Sequence, residues 1–387
     1  MFKRIAVLGA GNGGKMMAAE LSTAGWEVNL FEIPEFAKRN LEKIKETGGV
    51  EVNIENAPEN FEFPAGGKPG FNKITGKITT NIEKALKDVD LIMLPIPAFA
   101  RKRFIIEAAP YLKDGQTVII WPGYFGALQF ASILKNIKVD IDINICETES
   151  LIYACKSSDP TIEGGLDLIS LKDAKKKLNI ATFPSNRINN IITDLKGVYP
   201  AFQKANNVIQ TTIENANPVI HPQSVLLNLY LVERKFFPFF EQIGGGRMQA
   251  YNITPGSASV MESIDNERIN IAKALEIDCK PLWETLKKYY NCSGNNLYEV
   301  LLSNKAYQNS LAPTSLKNRF IYEDIPYGLI PLASLGNILK VKVDTINAMC
   351  TIASAATGIN LWKEGLDIKD IGIEESMTSL DIINYVS

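Results

Sequence analysis

The stretch Arg4–Gly14, RIAVLGAGNGG, decides the fold. Residues Arg4–Leu8 are mainly apolar, which is typical of a buried parallel strand. The next residues, Gly9–Gly14, have the spacing G-x-G-x-x-G. In Lys15–Ala24 the apolar residues are spaced to form one helix face, and Gly25 is placed to end that helix. The stretch therefore predicts a strand, a tight turn and a helix at the start of a Rossmann domain.

Each position in the turn has a predicted task. Gly9 allows the sharp turn, Gly11 lets a pyrophosphate approach the backbone, and Gly14 lets the helix pack closely on the strand. The start of the helix adds N–H groups and the positive end of its dipole, which favour phosphate. Together with Asn12 and Gly13, these residues form the predicted cofactor-binding turn.

An acidic residue follows where an adenosine ribose would lie. A second strand is predicted over Glu27–Phe31 and ends in Glu32, 18 residues (32 − 14) after Gly14. The Glu32 carboxylate would accept hydrogen bonds from the ribose and repel a 2′-phosphate, so NAD is the favoured cofactor. Because Lys38 and Arg39 could offset that repulsion, NADP stays open.

The N-terminal half continues as alternating strands and helices. Strands are predicted at Ile78-Thr79, Val89–Leu94, Gln116–Trp121 and Ile141–Cys146, and helices at Ile82–Leu86, at Phe99–Leu112 and after Gly126. The rigid turn containing Pro97 is expected to lie over the cofactor. The segment Glu51–Lys77 is rich in proline and glycine and is predicted to be a loop.

The C-terminal half is predicted to be helical. Its candidate helices are Gln223–Lys235, Ser257–Leu275, Lys280–Tyr290, Asn296–Leu302, Leu332–Leu339 and Val343–Ala356. The 387 residues exceed what one hydrophobic core usually holds, about 250–300 residues. We therefore predict an α/β Rossmann domain over 1–206 and an all-α domain over 207–387, with the active site in the cleft between them.

Composition excludes several classes of protein. The chain is 46% hydrophobic and 22% charged with a net charge of −2, which gives no electrostatic support for binding nucleic acid or an anionic membrane. The run Lys175–Lys177 is predicted to be a solvated helix face. No stretch reaches the roughly 18 apolar residues of a membrane helix.

The cysteines bear on the compartment. There are five, scattered and never in a C-x-x-C pair, which predicts neither a disulfide framework nor a metal site. The N-terminus leads directly into a strand, which leaves no room for a signal peptide. A cytoplasmic location is therefore expected.

Three segments of the second half could carry chemistry. His221 is the only histidine, and imidazole is the side chain best suited to acid–base work near pH 7. Arg319 and Asp324 are five residues apart, with aromatic and apolar residues between them. The ordinary interpretation of this segment is a surface strand with an exposed arginine and acid. The loop Asn252–Gly256 opens a helix, and a capping role accounts for it adequately.

Together these segments resemble the opine dehydrogenases, the family of octopine, nopaline and N-(carboxyethyl)amino-acid dehydrogenases. The resemblance covers nearly the whole chain. It rests on Gly9–Gly14, Pro122-Gly123, Glu147-Thr148, Asn217–Pro222, Ile253-Thr254-Pro255, Asp265-x-Glu267-Arg268, Arg319-x₄-Asp324 and Gly328–Pro331. It implies NADH- or NADPH-dependent reductive condensation of an amino acid with a 2-oxo acid, usually pyruvate.

The resemblance also implies residue roles. It places the catalytic histidine at His221, its partner acid at Asp324 and the carboxylate-binding arginine at Arg319, and Asn217 is predicted to bind substrate. Asp265 and Glu267 are then structural or interface charges. Tyr153, Cys155 and Tyr251 are further candidates to line the substrate pocket, although a packing role is the more ordinary interpretation of each.

Two alternatives remain at this point. One is a 2-hydroxy-acid or ketopantoate-type reductase of the same two-domain plan, which needs no amine. The other is a non-catalytic protein that senses the redox state of a bound dinucleotide. A homodimer is expected because two-fold dimers are the commonest oligomers.

Overall fold

The computed structural model describes residues 2–55, 61–157, 167–234, 253–305, 307 and 312–387. The chain divides into two compact units. The first comprises Met1–Thr212 with Val386–Ser387, and the second comprises Ile213–Tyr385. The predictions for Lys235, Tyr251 and Asn252 lie outside the described residues. Within the described residues, no helix is long and apolar enough to cross a membrane.

The first unit is built on an eight-stranded sheet. Its strands are β1 (Arg4–Leu8), β2 (Glu27–Phe31), β5 (Ile78–Thr79), β6 (Leu91–Leu94), β7 (Thr117–Ile120), β8 (Asn144–Thr148), β11 (Leu178–Phe183) and β12 (Phe202–Lys204), in the order β12-β11-β8-β7-β6-β1-β2-β5. All pairings are parallel except that of β8 with β11. The sheet and its helices confirm the predicted Rossmann-like fold.

The helices of this unit connect the strands. They are α1 (Asn12–Thr23), α2 (Pro34–Asn40), α3 (Glu42–Thr47), α4 (Ile82–Leu86), α5 (Arg101–Ala108), α6 (Gly126–Asn136), α7 (Ile188–Val198) and α8 (Val208–Ile213), the last of which runs into the second unit. β1 and β2 match their predicted bounds to the residue. β8 begins three residues later than predicted and includes Glu147 and Thr148, both fully buried.

A second, four-stranded sheet corrects the prediction of a loop over Glu51–Lys77. Its strands are β3 (Gly49–Ile54), β4 (Gly70–Lys73), β9 (Tyr153–Ser157) and β10 (Leu168–Ala174), in the order β4-β3-β10-β9. β3 pairs in parallel with β10, more than 110 residues further along the chain. Because the partner strand is so distant, the local proline and glycine content could not reveal this pairing.

Helix α1 packs against both sheets. Its apolar side chains, such as Met17 and Leu21, are fully buried. Polar side chains tie it to the second sheet, with hydrogen bonds Lys15 Nζ–Asp167 Oδ2 (2.5 Å), Thr23 Oγ1–Asn72 Oδ1 (2.5 Å) and Tyr153 Oη–Glu20 Oε2. The Lys15–Asp167 ion pair is almost wholly buried.

The second unit is helical, as predicted. Its helices are α9 (Asn217–Leu226), α10 (Leu229–Arg234), α11 (Pro255–Ala274), α12 (Leu282–Tyr289), α13 (Leu297–Ser303), α14 (Arg319–Tyr322), α15 (Ile330–Ile338), α16 (Asp344–Thr357), α17 (Leu361–Glu364) and α18 (Ser379–Val386). A π-helical turn, Asp324–Leu329, joins α14 to α15. Thr254 and Ser257 form a capping box at the start of α11, which confirms the predicted cap.

The long helix α11 also organises its neighbours through two acidic residues. Asp265 accepts hydrogen bonds from Arg268 and from the backbone N–H of Leu282 at the start of α12. Glu267 accepts from the N–H groups of Thr345 and Ile346, at 2.7 and 2.9 Å, in the first turn of α16. Both acids therefore have structural contacts of the kind expected.

The prediction of a solvated helix face over Lys175–Lys177 is wrong. The three lysines lie in the turn between β10 and β11 and not in a helix. Lys176 and Lys177 are exposed, whereas Lys175 is 6% exposed and donates a 2.7 Å hydrogen bond from Nζ to the carbonyl of Leu151. Burial lowers the pKa of this ammonium to about 8, although the carboxylates of Glu149 and Asp173 act in the opposite direction.

This lowered pKa predicts a pH dependence of stability. Below about pH 8 Lys175 is protonated in both the folded and the unfolded chain, so the unfavourable burial of its charge acts in full. Between about pH 8 and the ordinary lysine pKa of 10.5, the unfolded chain binds more protons, and this residue's contribution to the free energy of unfolding rises with pH. Urea unfolding of the wild type and of Lys175→Met at pH 7 to 10 measures it.

We expect the wild type to gain stability relative to Lys175→Met by about 1 kcal/mol per pH unit above pH 8. Lys176→Met, which changes an exposed neighbour, is the control. A stability difference between wild type and Lys175→Met that does not change with pH would contradict the assignment.

Candidate active site

The glycine-rich turn between β1 and α1 is fixed by close packing. Gly9 has φ +110°, and a Cβ on it would lie 2.3 Å from Cγ2 of Ile96. A Cβ on Gly14 would lie 1.8 Å from the carbonyl oxygen of Gly9. The turn and the contact of α1 with β1 therefore both require glycine, as the sequence predicted.

Gly11 differs from these two glycines. A Cβ on Gly11 would meet no atom within 4 Å, so packing does not require glycine there. Gly11 is the N-cap of α1 and has no side chain to cap the first-turn N–H groups. An uncapped helix start of this kind is suited to binding an anion. The turn fits a dinucleotide pyrophosphate.

The other two residues of the turn contact the segment around β9. The Asn12 side-chain oxygen accepts a 3.1 Å hydrogen bond from the N–H of Ser157. A Cβ on Gly13 would lie 3.1 Å from the side chain of Leu151. Cys155 also lies here, with its Sγ 3.6 Å from the carbonyl oxygen of Asn12.

Glu32 lies beside the turn at the end of β2, as predicted, and braces it. The residue is 4% exposed. Its carboxylate accepts hydrogen bonds from the N–H of Ala10 at 3.1 Å, the N–H of Ile33 at 2.9 Å and the amide of Asn40 at 2.9 Å. This bracing role was not predicted from the sequence. Ribose binding by Glu32 stays a prediction.

The proline turn after β6 lies against the glycine-rich turn. The ring of Pro95 would be 3.6 and 3.4 Å from a Cβ on Gly13 and Gly14, respectively. Pro97, two residues further on, is half-buried and precedes a short 3₁₀ helix. The proline turn therefore lies next to the glycine-rich turn, as expected, and contact of Pro97 with a cofactor stays a prediction.

In the second unit, His221 and Asp324 are hydrogen-bonded. The distance from Nδ1 of His221 to Oδ2 of Asp324 is 3.0 Å, although 103 residues separate them. His221 lies in the middle of α9, whereas the predicted helix began only after it. The imidazole is 18% exposed and the Asp324 side chain 3% exposed. A carboxylate at Nδ1 favours the tautomer with the proton on that nitrogen and a lone pair on Nε2.

Asn217 is the first residue of the same helix. It is half-buried and precedes His221 by four residues, so the two side chains lie on the same face of α9. This places Asn217 next to the histidine along the helix, and its binding of substrate stays a prediction.

Arg319 and Asp324 lie in a helical segment, so the strand interpretation of this region is wrong. Arg319 begins α14, its side chain is 58% exposed, and its Nε donates a 2.5 Å hydrogen bond to Oε2 of Glu323. Glu323 itself is 2% exposed. Sequence reasoning missed Glu323, although its i,i+4 spacing from Arg319 on a helix would have indicated the pair.

A second missed residue is Phe320. Its ring stacks on the imidazole of His221 with centroids 4.0 Å apart and planes 12° apart. Asp324, Phe320 and Arg319 therefore all come from one short segment that packs against α9. The sequence did contain a signal for this contact, because Phe320 is an aromatic residue between Arg319 and Asp324, the two positions predicted to carry chemistry.

Tyr153, a candidate pocket residue, lies in a buried network instead. It is 3% exposed, and its hydroxyl contacts Glu20 Oε2 and, at 2.8 Å, the hydroxyl of Tyr199. Burial raises the pKa of the Glu20 carboxyl. This arrangement supports the packing role for Tyr153.

The comparisons with known proteins agree with this geometry. Residues 204–357 match the family described as NAD/NADP octopine/nopaline dehydrogenase, alpha-helical domain. An opine dehydrogenase of Arthrobacter sp. (strain 1C) is 30% identical over 96% of this chain and 95% of its own length. The chain belongs to the opine dehydrogenase family. It is an NAD(P)-dependent dehydrogenase, so the non-catalytic sensor is excluded. The family match favours the opine dehydrogenase reaction over that of the 2-hydroxy-acid or ketopantoate-type reductases.

Solved structures of the family share the fold. An octopine dehydrogenase in complex with NADH and L-arginine has a TM-score of 0.67 at 21% identity, with 92% of this chain and 90% of that chain covered. A yersinopine dehydrogenase with bound NADP⁺ has a TM-score of 0.69 at 15% identity, with 99% and 98% covered.

The different surroundings of the glycines give a prediction. Gly11→Ala should leave the melting temperature unchanged, because its Cβ meets no atom. It should lower NADH affinity at least tenfold, about 1.4 kcal/mol, because the methyl group would enter the space where the pyrophosphate is predicted to bind. Gly14→Ala should lower the melting temperature, since its Cβ would overlap the Gly9 carbonyl.

Nucleotide fluorescence titration and thermal unfolding measure the two effects. Gly197→Ala, in α7, is the matched control because its Cβ also meets no atom within 4 Å. Unchanged NADH affinity in Gly11→Ala would remove the turn from the binding site.

Proposed function

We propose that this enzyme catalyses the NAD(P)H-dependent reductive condensation of an L-amino acid with a 2-oxo acid, with pyruvate the first candidate. The amine adds to the keto carbon, water leaves, and a hydride reduces the resulting imine to an N-(1-carboxyalkyl)amino acid. The reaction is reversible. The His221–Asp324 hydrogen bond carries the proposal, because it joins the chain's only histidine to a buried acid in the unit that contains most of the family match.

His221 is the proposed general acid. With Nδ1–H bonded to Asp324, the imidazolium form of His221 carries its second proton on Nε2. It donates this proton to the carbonyl or carbinolamine oxygen as water leaves, which returns the ring to the neutral Nδ1–H form. In the reverse direction Nε2 takes the proton back. Asp324 holds the tautomer and stabilises the imidazolium by its negative charge.

Arg319 is the proposed binding group for the 2-oxo acid. A guanidinium can hold a carboxylate with two parallel hydrogen bonds, which lysine cannot imitate. The 2.5 Å bond from Nε to buried Glu323 orients this otherwise exposed side chain. Asn217, on the face of α9 that carries His221, is the proposed second polar contact to substrate.

The cofactor is assigned to residues 1–206 and the chemistry to 207–387. Gly9, Gly11, Asn12, Gly13 and Gly14 would hold the pyrophosphate, while Glu32 and Pro97 would flank the ribose and the nicotinamide side. Bound NAD(P)H supplies the hydride. Glu32 favours NAD, and Lys38 and Arg39 in the last turn of α2 leave NADP possible.

The proposal extends to compartment and assembly. A cytoplasmic location is proposed from the sequence, whose five cysteines are scattered and form no C-x-x-C pair. A homodimer is proposed on the prevalence of two-fold assemblies. Gel filtration with light scattering tests the homodimer, and a monomer mass would overturn it.

The reaction class is tested by NADH oxidation at fixed pyruvate with single L-amino acids, together with a reaction that lacks amine. We expect oxidation that depends on one or a few amino acids. Oxidation with pyruvate alone would instead support a simple keto-acid reductase.

The central residue is tested by His221→Ala. We expect turnover to fall at least about 100-fold, the lower range for loss of a general acid, while NADH still binds. Stopped-flow absorbance and NADH fluorescence measure the two properties. Retained turnover would show that the imidazole is not the acid.

A further inference from the structure

The ring of Phe320 lies flat against the imidazole of His221. The centroids are 4.0 Å apart and the planes differ by 12°. Stacked rings at this distance are in van der Waals contact over most of one face. One face of the imidazole is therefore covered by carbon.

Core packing does not account for this position. In α14 the buried residue is Ile321, with no exposed area, whereas Phe320 is half-buried. The backbone at Phe320 is fixed by the cap of its helix, because its N–H donates a 2.9 Å hydrogen bond to Oδ1 of Asn318. A rigid backbone thus presents a partly exposed aromatic ring to the histidine.

The hydrogen bond and the stack constrain different motions of the imidazole. The Nδ1–Asp324 bond selects one of the two ring flips, but a single hydrogen bond still lets the ring tilt about the line joining its two atoms. A flat surface against one face removes that tilt. Together they leave one orientation for Nε2.

We infer that Phe320 is a positioning residue, which acts through His221 by holding Nε2 in the orientation needed for proton transfer. The inference rests on the proposed role of His221. Because small misplacements of reacting groups slow proton transfer strongly, loss of the ring should slow the chemical step about tenfold or more.

The test compares Phe320→Leu and Phe320→Met, which fill space without a ring, with Phe320→Tyr, which keeps the ring. Tyr322→Leu removes a ring from the same helix and is the control. We expect the single-turnover rate of NADH oxidation to fall in the Leu and Met variants and to be retained in the Tyr variant. NADH affinity and melting temperature should change little.

A second readout does not depend on activity. Because His221 is the only histidine, protein labelled with ¹⁵N-histidine and freed of any polyhistidine tag gives one imidazole NMR signal set. The carbon-bound imidazole protons should move downfield in Phe320→Leu, since the ring current of the stacked Phe320 is lost. The ¹⁵N pattern of wild type should report the Nδ1–H tautomer.

His221→Asn distinguishes a failure of the inference about Phe320 from a failure of the proposed function. If that variant is inactive and Phe320→Leu turns over like wild type, the inference is overturned and the proposed function stands. If His221→Asn keeps full turnover, the proposed function fails and the inference with it. A rate loss in Phe320→Tyr equal to that in Phe320→Leu would also overturn the role of the ring.

Discussion

The contact between α1 and β1 sets the architecture of the first unit. Only hydrogen fits between the α-carbon of Gly14 and the carbonyl of Gly9, because a Cβ would lie 1.8 Å from that oxygen. This closeness aims the start of α1 at the carboxyl end of β1 and leaves its first N–H groups for an anion. It also lets the opposite face of α1 pack against the second sheet, where the buried Lys15–Asp167 pair secures it.

The second unit depends on acids with specific partners. Buried Asp324 and Glu323 are bonded to an imidazole and a guanidinium, and half-buried Glu267, inside α11, is bonded to the first turn of α16. Removing one partner of such a buried group is strongly unfavourable, which keeps each in its place. The segment from Arg319 to Asp324 packs against α9 and carries three side chains with proposed roles within about one and a half turns of helix.

The sequence pattern predicted an element correctly where the residues of that element and its neighbours along the chain determine it. β1 and β2 match to the residue because the glycine turn and a buried apolar run define them. It failed for β3, whose parallel partner lies more than 110 residues away. The His221–Asp324 bond likewise spans 103 residues, so spacing could not reveal it, and the family resemblance was needed. Lys175 was misjudged because a run of lysines does not show that one of them is covered.

The three hydrogen bonds at Glu32 bear on any redesign of cofactor preference. The obvious way to admit a 2′-phosphate is to replace this carboxylate with a neutral or basic residue. Here that change would also remove the acceptor of the Ala10 N–H and of the Asn40 amide. Both donors would lose their partner beside the glycine turn, so such a change would loosen the loop that is proposed to hold the pyrophosphate. A useful redesign would therefore keep an acceptor at position 32 and alter charge at the surface of α2 instead.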